Sequence, residues 1–141
     1  MRTMRIGQLV LALAWVLFGC GSEDEKKDGA AAPLEIIGDW SSEFGDESIT
    51  ESTWGTTAVK DYDNDQNVVI VQNPDDDAFS PSAFAKIVFT EPKNDEFYYC
   101  WVDFGLESLA DAQASDKSAD DSEPDTAGCG DGNPWTKLTK K

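Results

Sequence analysis

Glu96-Phe97-Tyr98-Tyr99-Cys100-Trp101-Val102-Asp103-Phe104 is the stretch that decides the fold of this chain. Tyr98, Cys100, Val102 and Phe104 alternate with Phe97, Tyr99, Trp101 and Asp103, the period-two pattern of a β-strand whose two faces meet different surroundings. It is the richest aromatic stretch in the sequence and is expected to be central, because aromatic side chains suit a pleated, half-buried surface. Immediately upstream, Phe84 to Thr90 is a second strand, ended by Pro92, and Lys93-Asn94-Asp95 turns the chain between the two. Further back, Val68-Val69-Ile70-Val71 is unbroken, as in a strand covered on both faces. Thr57 to Tyr62 and Asn67 to Gln72 flank Asp63-Asn64-Asp65-Gln66. Asn and Asp tolerate left-handed backbone and cap their own turn, so this reads as a hairpin. Asn73-Pro74 and Asp75-Asp76-Asp77 form a loop. Ser48 to Trp54 alternates weakly and is rich in Thr and Ser. Leu34, Ile36, Trp40 and Phe44 share one parity and predict one apolar face.

Downstream of Gly105 the pattern changes. Leu106 to Ala114 has helical spacing, with Leu106, Leu109, Ala110 and Ala112 available to one side. Ser115 to Asn133 is acidic, small and Gly-rich, with almost nothing apolar to bury. Pro134 to Thr139 can close the sheet as a last strand. The short connections imply antiparallel neighbours. The fold class that follows is mainly β: a small antiparallel barrel or sandwich of about seven strands with one short helix.

The N-terminus reads differently. Arg2 and Arg5 precede an apolar run from Ile6 to Phe18. A basic start before a short apolar core is the layout of a secretory signal, and a membrane-spanning helix would need about 20 apolar residues. Leu17-Phe18-Gly19-Cys20 resembles the lipobox of bacterial lipoproteins, although Phe18 is bulkier than the residue usual there. The resemblance implies that residues 1–19 are removed and that the Cys20 thiol receives a diacylglycerol, with its freed amino group commonly acylated too. Two or three acyl chains anchor stably, at about 0.8 kcal/mol per buried CH₂. Gly21 follows the cysteine where Asp would favour retention, so the resemblance implies the outer membrane of a Gram-negative cell, facing the periplasm or the surface. Residues 20–33 are then a charged, small-residue tether and residues 34–141 a single domain.

An exported chain sits in an oxidising compartment, so Cys100 and Cys129, the two cysteines left after Cys20, are expected to pair. The enclosed loop of roughly 30 residues gives about 3–4 kcal/mol in the chain-entropy account. The bridge would staple the acidic segment, the weakest of the domain, to the aromatic strand, the strongest.

Composition excludes much. Removing residues 1–19 takes away Arg2 and Arg5 and no acid, so the formal charge moves from −17 to −19, and every remaining basic residue is lysine. Such a chain does not bind nucleic acid by neutralising phosphates, and an anionic lipid surface repels it. There is no histidine. That removes Ser-His-Asp and Cys-His catalysis, histidine bases and histidine-ligated zinc.

Gly38-Asp39-Trp40 resembles the Gly-x-Trp start of lipocalin and avidin-like barrels. The resemblance implies a tryptophan on the barrel floor and a cup above it for a small apolar ligand. The domain is shorter than a lipocalin and has no arginine to pack over the tryptophan; Lys137, near Trp135, is the nearest substitute. Trp40, Trp54, Phe89, Tyr99, Trp101 and Trp135 are the aromatic residues that would line a cup or simply fill a core. Asp61, Asp63 and Asp65 have the alternate spacing of a calcium loop, but Gln66 stands where an EF-hand needs Gly and Gln72 where it needs Glu. A looser oxygen-ligand site for calcium would lie at Asp75 to Asp77 or, better, among Asp116, Asp120, Asp121, Glu123 and Asp125, the alternative being a solvated loop. No organic cofactor is expected. Trp40, Asp63-Asn64, Gln72-Asn73-Pro74, Tyr98-Tyr99-Cys100, Gly128-Cys129-Gly130 and Pro134-Trp135-Thr136 together resemble a group of small bacterial lipoproteins to which no activity is attached.

The functional expectation is a lipid-anchored envelope protein that binds without catalysis, its partner either a small apolar ligand or another envelope protein. The rivals are a structural or assembly accessory with no ligand, and a hydrolase built on two carboxylates about 5–10 Å apart in a cleft. An internal apolar cavity lined by some of Trp54, Phe89, Tyr99 and Trp101 would mark a cup. A filled interior with an exposed aromatic patch would mark an accessory.

Overall fold

A computed structural model describes residues 32–141. The expected signal peptide, the lipobox-like stretch with Cys20, and most of the expected tether lie outside the described residues. The sheet is a closed, up-and-down antiparallel barrel of eight strands: β1 (Gly38–Ser42), β2 (Gly45–Ile49), β3 (Thr53–Trp54), β4 (Thr57–Asp63), β5 (Val68–Gln72), β6 (Phe84–Phe89), β7 (Glu96–Leu106) and β8 (Thr136–Lys140). Each strand pairs with its neighbour in sequence, and β8 returns to β1 through Trp40 opposite Lys140 and Ser41 opposite Thr139. One short helix, α1 (Leu109–Ala114), follows β7.

The aromatic stretch is the longest strand, eleven residues paired to β6 on one side and β8 on the other. Val69, Ile70 and Val71 are all buried, as the unbroken apolar run predicted. Val69 and Val71 belong to the barrel core, whereas Ile70 lies outside that cluster, where α1 packs on the outer wall over β5, β6 and β7. Ser108 starts this helix by accepting from the Asp111 amide, and Ala112 is its one buried residue. The helix is therefore shorter than the expected Leu106 to Ala114, because Leu106 still pairs with Phe84 as sheet.

Two other expectations are corrected. Phe44 shares the parity of Trp40 but is exposed, because the chain reverses at Glu43 and Phe44. Ser42 Oγ accepts the Phe44 amide at 3.1 Å and donates to the Gly45 carbonyl at 3.1 Å, and Gly45 takes φ +128°. Ser48 to Trp54 is two strands, because the Thr50 hydroxyl draws the amides of Ser52 and Thr53 into a turn. That division raises the strand number from seven to eight.

The interior is packed by the barrel's own side chains. Trp40, Ile49, Trp54, Val69, Val71, Ala85, Ile87, Phe89, Phe97, Tyr99 and Leu138 form one cluster with Leu34 and Ile36 from the incoming segment. Phe97 stands at the centre: Trp40 lies edge-on at 4.7 Å between ring centroids, Trp54 at 6.4 Å and Phe89 at 6.4 Å. Edge-to-face packing suits the ring quadrupoles.

An up-and-down barrel puts alternate connections at opposite ends. The chain arrives at one end, the floor. There Asn64, in the β4–β5 turn, donates to the Pro33 carbonyl and accepts the Glu35 amide, and Tyr62 donates to the Ala32 carbonyl. The connections β1–β2, β3–β4 and β5–β6, and the segment after β7, open at the other end, the mouth.

Candidate functional site

Inside the barrel, Glu47, Trp54 and Tyr99 form a hydrogen-bonded three-residue plug. Glu47 lies opposite Trp40 in the register, on the inward parity, and it is only half-buried. The Trp54 indole donates to its Oε2, and the Tyr99 hydroxyl donates to its Oε1 at 2.9 Å. The two rings also meet edge-on at 5.1 Å. Both carboxylate oxygens are thus engaged by buried donors. Burial first, and the Glu47 charge second, push the Tyr99 phenol well above the usual tyrosine range.

At the mouth end several apolar side chains are exposed. Phe44 in the β1–β2 turn is 78% exposed, Phe79 in the β5–β6 loop 95%, Phe104 near the end of β7 73% and Trp101 37%. Trp101 pairs with Ile87 and so has inward parity. It stands at the mouth, beyond the core, and does not line an interior cup. Phe79 is held by its loop. The Asp77 carboxylate accepts the amides of Phe79 at 3.0 Å and Ser80 at 2.7 Å, which holds its pKa below the usual aspartate value. The sequence reading missed this grouping. The signal was present: in a closed meander, the first, third, fifth and seventh connections share an end, and three of the four carry a phenylalanine in or beside them.

The other aromatic residues take structural places. Trp40 is buried near the floor and donates to the Ile36 carbonyl at 2.9 Å. The cation over its ring is Lys140, at 6.0 Å; Lys137, the expected substitute, lies over Tyr98 at 5.6 Å. Trp54, Phe89 and Tyr99 are core. Trp135 is buried outside the barrel cluster, beneath the acidic segment, where its indole donates to the Asp120 carbonyl at 2.9 Å.

That segment is ordered by its own bonds. Cys100 and Cys129 form the expected disulfide. Asp120 donates its amide to the Gly128 carbonyl, Trp135 donates its amide to the Pro124 carbonyl, and Tyr98 donates to the Asp125 carboxylate at 2.8 Å. The hydrogen bond to Asp125 raises the Tyr98 pKa, and the amide of Ser122 lowers that of Asp120. Among the described residues, no group of three or more acidic or cysteine side chains converges as a metal would require, so Asp116, Asp120, Asp121, Glu123 and Asp125 are not brought together. Asp63 is engaged by its turn, accepting from the amide and side chain of Gln66.

The principal clefts lie on the outer surface. One, of about 250 Å³, runs between α1 and the outer wall beside Asp61, Ile70 and Lys86. A second, of about 460 Å³, lies at the floor beside Asn67, Glu91 and Asn94. A third, of about 320 Å³, lies beside Glu43, Tyr98, Asp125, Trp135 and Lys137. Trp135 is the one candidate aromatic residue that lines any of the three, and Trp40, Trp54, Phe89, Tyr99 and Trp101 line none. Comparison of the chain with family models, with curated proteins and with solved structures returns no match.

Proposed function

We propose that this chain is a lipid-anchored protein of the cell envelope, held to the membrane through Cys20, whose barrel binds a protein partner and catalyses no reaction. The observation that carries this reading is the contrast between the barrel's mouth, with its exposed phenylalanines, and its packed interior. Among the described residues the interior is packed by its own tryptophan, phenylalanine and aliphatic side chains, which favours a protein partner over a small apolar ligand. The mouth leaves phenylalanine rings in solvent, an arrangement typical of protein contact surfaces. The one inward carboxylate in the plug has both oxygens engaged by Trp54 and Tyr99, a structural arrangement and not that of an acid or base awaiting substrate. The described chain enters the barrel at the floor, where Asn64 holds the Pro33 carbonyl, at the end opposite the exposed phenylalanines.

Native mass spectrometry of the full-length protein, extracted gently from membranes of its own host, tests the reading. The expected spectrum shows acyl mass on Cys20 and, after mild cross-linking, the added mass of a second, different polypeptide. A retained small apolar molecule in place of a polypeptide would overturn the partner reading in favour of a ligand carrier. An unacylated mass would overturn the anchor.

A further inference from the structure

Resting on the partner-binding reading, we infer that the mouth receives a basic, amphipathic polypeptide, one on which lysines or arginines are interleaved with apolar side chains. The apolar half of the requirement comes from the exposed rings of Phe44, Phe79 and Phe104. The charged half comes from the loops that present them. Residues 43–45, 55–56, 73–83 and 104–108 contain Glu43, Asp75, Asp76, Asp77 and Glu107 and no lysine or arginine. The salt bridges among the described residues, Lys137 with Glu96 and Lys141 with Asp46, neutralise none of these five acids. An aromatic rim set in uncompensated negative charge attracts cations twice, through Coulomb steering and through the ring faces.

The same charge removes two other occupants. A second copy of the chain would bring the same acidic loops to face these, and an anionic bilayer would repel them. Size agrees with a polypeptide. Eight strands about 4.8 Å apart and tilted by about 40° make a ring roughly 16 Å across, the length of about five extended residues. Asp77, by holding the Phe79 backbone, fixes one anchor before the partner arrives, so little ordering is left to binding.

The test uses the full lipidated chain in phosphatidylcholine nanodiscs, with empty nanodiscs subtracted, and a short fluorescent peptide alternating lysine and valine. Binding is read by anisotropy. The expected result is saturable binding that weakens as salt is raised. Phe79→Ser with Phe104→Ser should raise Kd about tenfold or more, while Asp65→Asn in the β4–β5 turn at the floor leaves it unchanged. Both phenylalanines are exposed, so the melting temperature should not move and confirms that the variant is folded. A glutamate–valine peptide that binds equally well, a lysine–serine peptide that binds equally well, or a Kd indifferent to the two phenylalanines would each overturn the inference. So would absence of binding. If a cross-linked partner is nevertheless recovered from host membranes, the partner reading stands and only its assignment to a basic segment at the mouth falls.

Discussion

Tyr99 and Glu47, 52 residues apart in the chain, are joined across the barrel by a 2.9 Å hydrogen bond in which the phenol donates to the carboxylate. Trp54 completes the set from a third strand. Glu47→Ala strands two buried donors, and a buried donor without a partner costs about 1–3 kcal/mol. Because Glu47 is half-buried and water can reach part of its place, the loss should be about 2 kcal/mol in chemical denaturation. Glu47→Gln keeps an acceptor and should lose about half as much. An alanine variant as stable as the parent would show that the plug contributes nothing to stability.

The same contact sets an alkaline limit. The folded Tyr99 pKa is raised, mainly by burial and then by the Glu47 charge and hydrogen bond. A tyrosine whose folded pKa exceeds its unfolded value of about 10 contributes stability fully present below pH about 10 and lost as pH rises through the folded value. Tyr98, raised by Asp125, acts in the same direction. Tyrosinate absorbance should therefore lag on titration and rise together with the loss of far-ultraviolet β signal. In Tyr99→Phe the alkaline transition should move upward. An unchanged transition would assign it to other groups.

The disulfide should matter locally. Cys100→Ser with Cys129→Ser releases a loop of 29 residues of sequence separation, at a cost of about 3–4 kcal/mol in the chain-entropy account. Amide exchange should accelerate from Ser115 to Asn133 while β4 to β6 remain protected. Equal acceleration in the barrel strands would mean that the segment and the barrel unfold as one unit.

Gly128 should be the least replaceable glycine of that segment. It has φ +100°, and an added Cβ would lie 1.8 Å from the Asp120 carbonyl oxygen, the acceptor of the Trp135 indole. Gly130 has φ +53° with open space around it. Gly130→Ala should cost about 1 kcal/mol, and Gly128→Ala distinctly more, with Trp135 fluorescence shifting to the red. Comparable effects from the two would show that the close approach to Asp120 is relaxed in solution.

Core and rim should separate cleanly. Phe97→Ala opens a cavity beside Trp40, Trp54 and Phe89 and should cost about 3–5 kcal/mol. Phe44→Ser, Phe79→Ser and Phe104→Ser should each stay within about 0.5 kcal/mol. A large loss from any rim variant would mean that the ring packs on the barrel.

Much of the fold was legible because it is local. The alternation in Glu96 to Phe104 and the unbroken Val68 to Val71 reflect how each strand meets its surroundings, and one residue's parity carries that information. Phe44 shows where parity fails: the rule counts residues along a straight strand, and the hydroxyl of Ser42 bends the chain first. Trp101 has the right parity but stands above the core, since sequence alternation does not say where a barrel ends. Barrel and sandwich could not be told apart, because the distinction rests on β1 meeting β8, a pairing without a local signature. The rim was illegible for a related reason. Phe44, Phe79 and Phe104 are united only by which end their connections face, and that requires the strand order.

Closure through Trp40 opposite Lys140 also fixes when the domain can become whole. Every other pairing joins strands adjacent in sequence and can form as the chain lengthens. The seal cannot form until Thr136 to Lys140 is present. Until then β1 and β7 each offer an unsatisfied edge, a template for pairing with other chains. A molecule with β8 unplaced is thus sticky at two edges at once, and a single five-residue strand protects both.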